Sequence, residues 1–199
     1  DALPICRTQA SAVRAAELTD SVAFQNPLAL IREAELIFLT VVDDQIEVLA
    51  RELSEALSSQ GTDAMRFGKL GAGEADVSMS SSFEAPIFVH MSGAHGVDAL
   101  EPLAAAGFET ATLHPLVPVS EIQRAREAFG SALFSAELVS GGRFEPWLVK
   151  LGVPFVRIET GSKALYHTGA VFASNFVVTL IDTAVQLFMQ AGFSEEEAI

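Results

Sequence analysis

Along the first 160 residues, hydrophobic and polar positions alternate between short apolar runs and segments of helical period. The apolar runs predict strands and the segments between them predict helices, a pattern typical of a parallel sheet with crossover helices. The predicted strands are LPICRT (3–8), SVAFQNP (21–27), ELIFLTVV (35–42), PIFVHMSG (86–93), FETATLHP (108–115), the edge strand ALFSAELVSG (132–141) and VPFVRIE (153–159). The sequence therefore favours the α/β class.

The segments between these strands carry apolar residues at helical spacing. They predict helices at QASAVRAAELT (9–19), LALIREA (28–34), QIEVLARELSEALS (45–58), VDALEPLAAAG (97–107), AREAFG (125–130) and PWLVKLG (146–152). Asp43 and Asp44 stand where an N-cap belongs, directly before the third of these helices. Residues 59–85 are rich in Gly and Ser with little periodicity, and they predict an extended surface loop.

From Ser162 to Ala191 the period becomes helical and no further strand is predicted. The boundary between a sheet domain (1–160) and the start of a helical domain (161–199) is therefore expected near Thr160–Ser162. The chain begins at Asp1 and its last residues are typical of the first turn of a helix. We accordingly expect a segment truncated at both ends, taken from a longer reading frame.

Charge and hydropathy restrict the partners of the chain. The net charge of −14 disfavours nucleic acid and anionic membrane surfaces, because both repel an acidic protein. The apolar run after Lys163 is interrupted by His167, Asn175, Asp182 and Gln186, which favours a soluble helical domain or dimer over a membrane span. The single cysteine, Cys6, allows no intramolecular disulfide, and we expect a cytoplasmic protein.

Candidate ligand-binding residues follow the predicted strands, because ligands of open α/β sheets bind beyond the carboxyl ends of the strands. Thr40, Val41 and Val42 follow one strand, His90 and Ser92 the next, and His114 a third. A Ser-His-Asp hydrolase using Ser92 is disfavoured, since the motif G-x-S-x-G is absent around it. We expect no metal site, because the histidines lack the spacing of metal ligands.

Arg7 and Thr8 end the first predicted strand. In a dinucleotide-binding fold an arginine at the end of the second strand favours a 2′-phosphate, and thus NADP over NAD. The alternative, about as well supported by the sequence, is a solvated arginine at a strand end. No G-x-G-x-x-G occurs at a strand-to-helix junction, and GKLGAG (68–73) is interpreted as part of a linker.

Lys163, Tyr166 and His167 lie three and four residues apart at the start of the long apolar segment, so they share one helix face. A lysine and a histidine on neighbouring turns can transfer a proton to a carbonyl and stabilise its negative charge. Burial in a shared cleft would lower both pKa values. The alternative is that Lys163 extends to water and His167 makes a hydrogen bond in a domain interface.

Two long segments, HMSGAHGVDALEPLAAAGFETATLHPL (90–116) and KALYHTGAVFASNFVVTLIDTA (163–184), resemble uncharacterised Rossmann-like proteins. The C-terminal half of those proteins is a domain of unknown function, number 2520, and ELIFLTVVDDQI is similar to their preceding strand and turn. The family resembles 6-phosphogluconate dehydrogenase-like, pyrroline-carboxylate reductase and F420-dependent NADP reductase proteins. The resemblance, over residues 5–195, implies an NADP-binding, mostly parallel sheet followed by an all-helical domain that forms a homodimer.

Three departures accompany this resemblance. We expect that the first strand with its glycine loop lies outside this sequence and that the final helices are truncated, and the 59–85 loop is longer than expected for the family. Related 3-hydroxyacid dehydrogenases place a lysine, and an asparagine one turn later, against the substrate. Here Lys163 and His167 have the matching spacing, which leaves hydride transfer plausible and the substrate open.

The resulting expectation is an NADP(H)-dependent oxidoreductase acting on a small carbonyl, imine or hydroxy compound. Lys163 is the expected proton donor or electrophile, with His167 and His114 orienting it. The expected cofactor-binding residues are Arg7 and Thr8 at the 2′-phosphate, with Thr40, Val41, Val42 and Ser92 along the dinucleotide. The alternatives are a non-enzymatic dinucleotide-binding or sensing dimer and a structural module without ligand.

Overall fold

The computed structural model describes residue 6 and residues 8–59, 84–117 and 127–199. The strands are β1 (Leu36–Leu39), β2 (Ile87–His90), β3 (Glu109–Pro115), β4 (Phe134–Glu137) and β5 (Phe155–Arg157). The α-helices are α1 (Gln9–Thr19), α2 (Pro27–Glu33), α3 (Ile46–Ser59), α4 (Glu101–Ala105), α5 (Phe144–Lys150), α6 (Lys163–Ala173), α7 (Asn175–Gln190) and α8 (Glu195–Ala198). Short 3₁₀ helices precede α3 and α4, at Asp43–Gln45 and Val97–Leu100.

The strands form one mostly parallel sheet in the order β1-β2-β3-β4-β5. β1, β2 and β3 run parallel to one another, β4 pairs antiparallel to β3, and β5 pairs parallel to β4. The carboxyl ends of β1, β2 and β3 therefore meet at one edge of the sheet. The α/β class and the helical region after the sheet, both expected from the sequence, are confirmed.

The sheet separates two hydrophobic cores. Phe88 of β2 packs with Leu53 of α3 and Leu103 of α4 on one face, while Val89 packs with Leu148 of α5 on the other. This division follows from the alternation of side chains along a strand. It explains why β2 is buried along its whole length and why its sequence is a continuous apolar run.

The residues around α2 differ from the sequence prediction. Residues 21–26 form no strand, so the prediction of a strand at SVAFQNP was wrong. Asn26 instead caps α2, because its side-chain oxygen accepts hydrogen bonds from the amides of Leu28 and Ala29, at 2.9 and 3.4 Å. Pro27 then begins the helix, a position where its missing N–H costs nothing.

Smaller corrections concern strand limits and a cap. β1 ends at Leu39, so Thr40–Val42 lie beyond the strand, and β3 continues through His114 to Pro115. Asp43 and Asp44 belong to a 3₁₀ helix and do not cap α3. β4 was predicted as an edge strand, but it lies between β3 and β5, and β5 is the edge.

Several predictions fall on residues outside those described. The strand at 3–8, the residue Arg7 and nearly all of the 59–85 loop belong to this group. The predicted helix at 125–130 is described only from residue 127, and residues 127–129 are helical. The proposed domain limits stay a prediction.

The helices α6 and α7 follow the sheet almost continuously. Within the described residues, Lys163–Gln190 is long and apolar enough to cross a membrane by length and composition, which is weak evidence for a span. α7 has no buried residue, and large apolar side chains such as Phe176 and Leu180 are exposed along it. Only the first residue of α6, Lys163, is buried.

Candidate active site

Three polar side chains form a row across the middle of the sheet. The strand registers pair His90 of β2 with Thr112 of β3, and Thr112 with Glu137 of β4. Paired residues of neighbouring strands project from the same face of a sheet. All three side chains are fully buried, a position that costs free energy unless the polar atoms find partners.

Lys163, the first residue of α6, covers this polar row and is only 2% exposed. Its Nζ donates a hydrogen bond to Thr112 Oγ1 at 3.1 Å and lies 5.5 Å from the centre of the Tyr166 ring. Burial lowers the pKa of Lys163 from 10.5 to about 8, and the negative charge of Glu137 opposes part of that change. Lys163 can therefore exchange a proton near neutral pH.

Glu137 lies beneath Lys163 and connects β4 to the loop after β2. One carboxylate oxygen, Oε2, accepts a hydrogen bond from the amide of Val97 at 3.0 Å. The backbone N–H of Glu137 donates to Thr112 Oγ1 at 3.1 Å, so this hydroxyl accepts from both Glu137 and Lys163. Among the described residues, Oε1 of Glu137 has no hydrogen-bond partner although it is buried.

His90 holds the loop after β2 in its conformation. Its Nδ1 accepts from the amide of Ser92 at 3.2 Å, so the proton lies on Nε2, which donates to the carbonyl oxygen of Gly96 at 2.9 Å. Burial is the main cause of the lowered pKa of His90. The Ser92 hydroxyl accepts hydrogen bonds from the amides of Ala94 and His95, at 3.1 and 3.0 Å, and thereby shapes the same loop.

His114 and Tyr166 form a second polar pair beside Lys163. Nδ1 of His114 lies 2.9 Å from the Tyr166 hydroxyl, and the two rings meet edge to face. Burial, followed by the charge of Lys163, lowers the pKa of His114 to about 4. Burial also raises the pKa of Tyr166, so both side chains are neutral at pH 7.

Gly93 brings the loop after β2 against both predicted histidines. A Cβ atom at Gly93 would stand 2.7 Å from Nε2 of His114 and 3.0 Å from Nδ1 of His167. Real Cβ atoms do not approach other atoms so closely, so only glycine allows this packing. In the described part of the chain, Nδ1 of His167 is buried without a partner.

The structure thus brings four of the predicted site residues together. Lys163, His114 and His167 converge with the loop that carries Ser92, at the carboxyl ends of β2 and β3. Their catalytic and binding roles stay predictions.

The predicted cofactor-binding residues other than Ser92 occupy other positions. Thr40, Val41 and Val42 are exposed after β1, and the following residue, Asp43, is close enough to act electrostatically on His90 and His114. Thr8 is the N-cap of α1, where its hydroxyl accepts from the amide of Ser11 at 3.2 Å. Arg7 lies outside the described residues.

Sequence reasoning missed Thr112, Ser135 and Glu137. A usable signal existed, because polar residues alternate with apolar ones in TATLH and in FSAE. This period of two places Thr112 on one face of β3, and both Ser135 and Glu137 on one face of β4.

For metals, no group of three or more His, Cys, Asp or Glu that could hold an ion occurs within the described ranges.

The C-terminal part of the chain matches a known family. Residues 143–199 match the family described as Domain of unknown function (DUF2520), which confirms the resemblance over that part of the chain. No curated protein matches the chain.

Several solved structures share the fold, although their sequences differ widely. Protein TM1727 from Thermotoga maritima is 20% identical with a TM-score of 0.62, covering 97% of this chain and 63% of that one. A pyrroline-5-carboxylate reductase from Coxiella burnetii is 12% identical (TM-score 0.61; 98% and 63% covered). A Streptomyces aurantiacus imine reductase is 15% identical (TM-score 0.58; 96% and 59% covered). The chain therefore has a Rossmann-like fold, and it spans less than two thirds of each of these proteins.

Proposed function

We propose that this chain forms part of an NADP(H)-dependent oxidoreductase acting on a small carbonyl, imine or hydroxy compound. The observation that carries this proposal is the burial of Lys163 at the carboxyl ends of the central strands, where its pKa is lowered to about 8. A structural role alone gives little reason to bury an ammonium group, because burial penalises the charge. A proton donor, in contrast, benefits from a pKa near the working pH.

The geometry assigns distinct roles to the side chains around Lys163. In reduction, the Lys163 ammonium donates its proton to the oxygen or nitrogen atom of the substrate that gains negative charge. Thr112 holds the ammonium in place through the 3.1 Å hydrogen bond. His114 and Tyr166 are neutral, so they orient the site without repelling the lysine or competing for its proton.

Two structural features are compatible with a bound dinucleotide. The segment Thr40–Val42 is exposed at the carboxyl end of β1, where dinucleotides approach such sheets. The loop after β2 is folded closely onto the site by Ser92 and Gly93. When bound, the nicotinamide would supply or accept the hydride. Arg7 and Thr8 are proposed to select NADP over NAD through the 2′-phosphate.

Two further properties belong to the proposal. The exposed apolar surface of α6 and α7 supports a homodimer formed through the helical region, because such a surface is unfavourable in water. With that surface covered in the dimer, we propose a soluble protein, and the cytoplasmic location stays a prediction from the sequence. The alternative function is a dinucleotide-binding sensor, which the fold alone supports equally.

The test uses the full-length protein, with NADPH binding followed by fluorescence and NADH as the control ligand. Turnover is then measured against a panel of carbonyl, imine and hydroxy compounds. We expect tighter binding of NADPH and a reduction rate that falls as the pH rises through about 8, since Lys163 then loses its proton.

The matched variants are Lys163→Met and Lys150→Met, because Lys150 lies at the end of α5, outside the site. We expect a 10²–10⁴-fold loss of turnover for the first, as for other general acids, and none for the second. NADPH binding without turnover would favour the sensor, and full activity of Lys163→Met would refute the catalytic assignment.

A further inference from the structure

We propose that Glu137 is a positioning residue that holds the Lys163 ammonium and the loop of residues 91–96 in one arrangement. This inference rests on the proposed function of Lys163 and adds a residue that sequence reasoning missed. Glu137 is assigned no contact with substrate or cofactor, because its side chain is buried beneath that loop.

The first support is the position of Glu137 relative to Lys163. Thr112 and Glu137 are partners in the antiparallel ladder of β3 and β4 and lie on one sheet face. Thr112 Oγ1 accepts one hydrogen bond from Lys163 Nζ and another from the backbone N–H of Glu137, each 3.1 Å long. The ammonium is thus held directly above the strand position that carries the carboxylate.

The second support is the balance of charge. Glu137 is the group whose charge opposes the effect of burial on the pKa of Lys163. The imidazoles that face Lys163, His90 from β2 and His114 from β3, have pKa values lowered in part by its charge. Asp43, after β1, acts on those two histidines. Glu137 is therefore the acidic group whose charge offsets part of the effect of burial on the Lys163 ammonium.

The third support is the hydrogen bond from Glu137 to the end of the loop. Its Oε2 accepts from the amide of Val97, the residue directly after the 91–96 loop. The packing there is tight, because a Cβ atom at Gly96 would lie 3.3 Å from the same Oε2. The loop also carries Gly93, which packs against His114 and His167. The same carboxylate therefore holds the end of the loop by a hydrogen bond and acts on the Lys163 ammonium through its charge.

A specific consequence follows for Glu137→Gln. The amide oxygen of glutamine can still accept from Val97, but the negative charge is lost. The protonated form of Lys163 is then less stable, so its pKa falls below about 8. In turnover, the pH at which reduction declines moves to lower values, kcat at pH 7 drops and KM changes little.

A direct measurement is practical, because this sequence contains three lysines, Lys69, Lys150 and Lys163, and the variants Lys163→Met and Lys150→Met assign their signals in the full-length protein. NMR of Cε-labelled lysine, recorded as a pH titration of the full-length protein, reports each side chain separately. We expect the Lys163 midpoint in Glu137→Gln to fall by about one pH unit or more, typical of losing a nearby opposite charge. The Lys150 midpoint should not move and is the internal control.

Three further variants separate the charge of Glu137, the Thr112 hydroxyl and the hydrogen bond to the loop. Glu137→Asp keeps the charge and should restore most of the wild-type Lys163 midpoint, and it also serves if Glu137→Gln fails to fold. Thr112→Val removes the shared hydroxyl but keeps the charge, so it should change the midpoint less than Glu137→Gln does. In Glu137→Ala, faster hydrogen exchange at the amide of Val97 would report release of the loop.

An unchanged Lys163 midpoint in Glu137→Gln, or equal midpoints in the Gln and Asp variants, would overturn the proposal. Neither of these two comparisons of the Lys163 midpoint requires that the protein turn over a substrate. A protein that binds no NADPH would refute the proposed function, while the lysine titration would still decide the role of Glu137.

Discussion

In its first turn α6 buries a lysine, whereas α7 exposes large apolar side chains over most of its length. Lys163 is 2% exposed, and Leu180 is 70% exposed. Lysine side chains are normally exposed and leucine side chains are normally buried, so both values are the reverse of the usual ones. The reason differs between the two regions, because within the described residues only the first turn of α6 meets a surface of the same chain that is shaped to receive it.

That surface is the polar face of β2, β3 and β4. The side chains on that face include the polar residues Thr112, His114 and Glu137. The ammonium of Lys163 therefore lies near a hydroxyl group and a carboxylate. α7 has no such counterpart among the described residues. An unusual burial therefore indicates a site within the chain, whereas an unusual exposure supports the proposal of a second chain.

The largest effect expected from this comparison concerns phenylalanine in the two regions. Phe88 is 0% exposed between the sheet and α3, while Phe176 is 46% exposed on α7. We expect Phe88→Ala to lower the free energy of unfolding by about 3–5 kcal/mol, the usual cost of a large cavity. Phe176→Ala should lower it by less than about 1 kcal/mol at a protein concentration too low for association. Urea denaturation of both variants is the measurement, and equal losses would contradict the assigned packing.

A smaller effect is expected at Gly93, where the two histidines leave no room for a Cβ atom. Gly93→Ala should cost about 1–3 kcal/mol, as overpacked sites do, and displace the His114 imidazole. The control is Gly130→Ala, because a Cβ atom at Gly130 meets nothing within 4 Å. Urea denaturation and the imidazole NMR signals of the four histidines are the measurements. Unchanged His114 signals in Gly93→Ala would disprove the close approach.

The smallest effect on stability, but the clearest on association, is expected at Leu180. Leu180→Glu places a charge on the exposed apolar surface of α7, and Val149→Glu places one at a similarly exposed position, 68%, on α5. Both should change the free energy of unfolding of the monomer by no more than about 0.5 kcal/mol. Only Leu180→Glu should dissociate the proposed homodimer in sedimentation velocity. A dimer that survives Leu180→Glu would remove α7 from the interface.

Much of the fold could be predicted, because strands and helices are encoded in short apolar periods. β2, β3 and α3 lie where the periods placed them, and the change to helix near Ser162 matches the start of α6. The prediction of a strand at residues 21–27 was wrong because it relied on the apolar residues of this segment and not on its helix-capping signal. Asn26 followed by Pro27 is a strong helix start, and it decides the structure of this segment.

The candidate site was only partly predictable, for a reason of distance along the chain. Lys163, Tyr166 and His167 share a helix face by local spacing, which the sequence displays directly. Glu137 reaches Lys163 only because β4 pairs antiparallel with β3 in one particular register. The alternation of residues within β4 indicates which face Glu137 occupies, but only the pairing of β4 with β3 decides that Thr112 lies opposite it.

By itself, then, the amino-acid sequence determined the alternation of strands and helices, the acidic surface and the reactive face at the start of α6. Each of these depends on neighbouring residues or on composition. The tertiary structure decided that Lys163 is buried, that Glu137 and Thr112 lie against it, and that Gly93 admits His114 and His167. These contacts join residues tens of positions apart, and only the packing of the sheet against α6 brings the residues together.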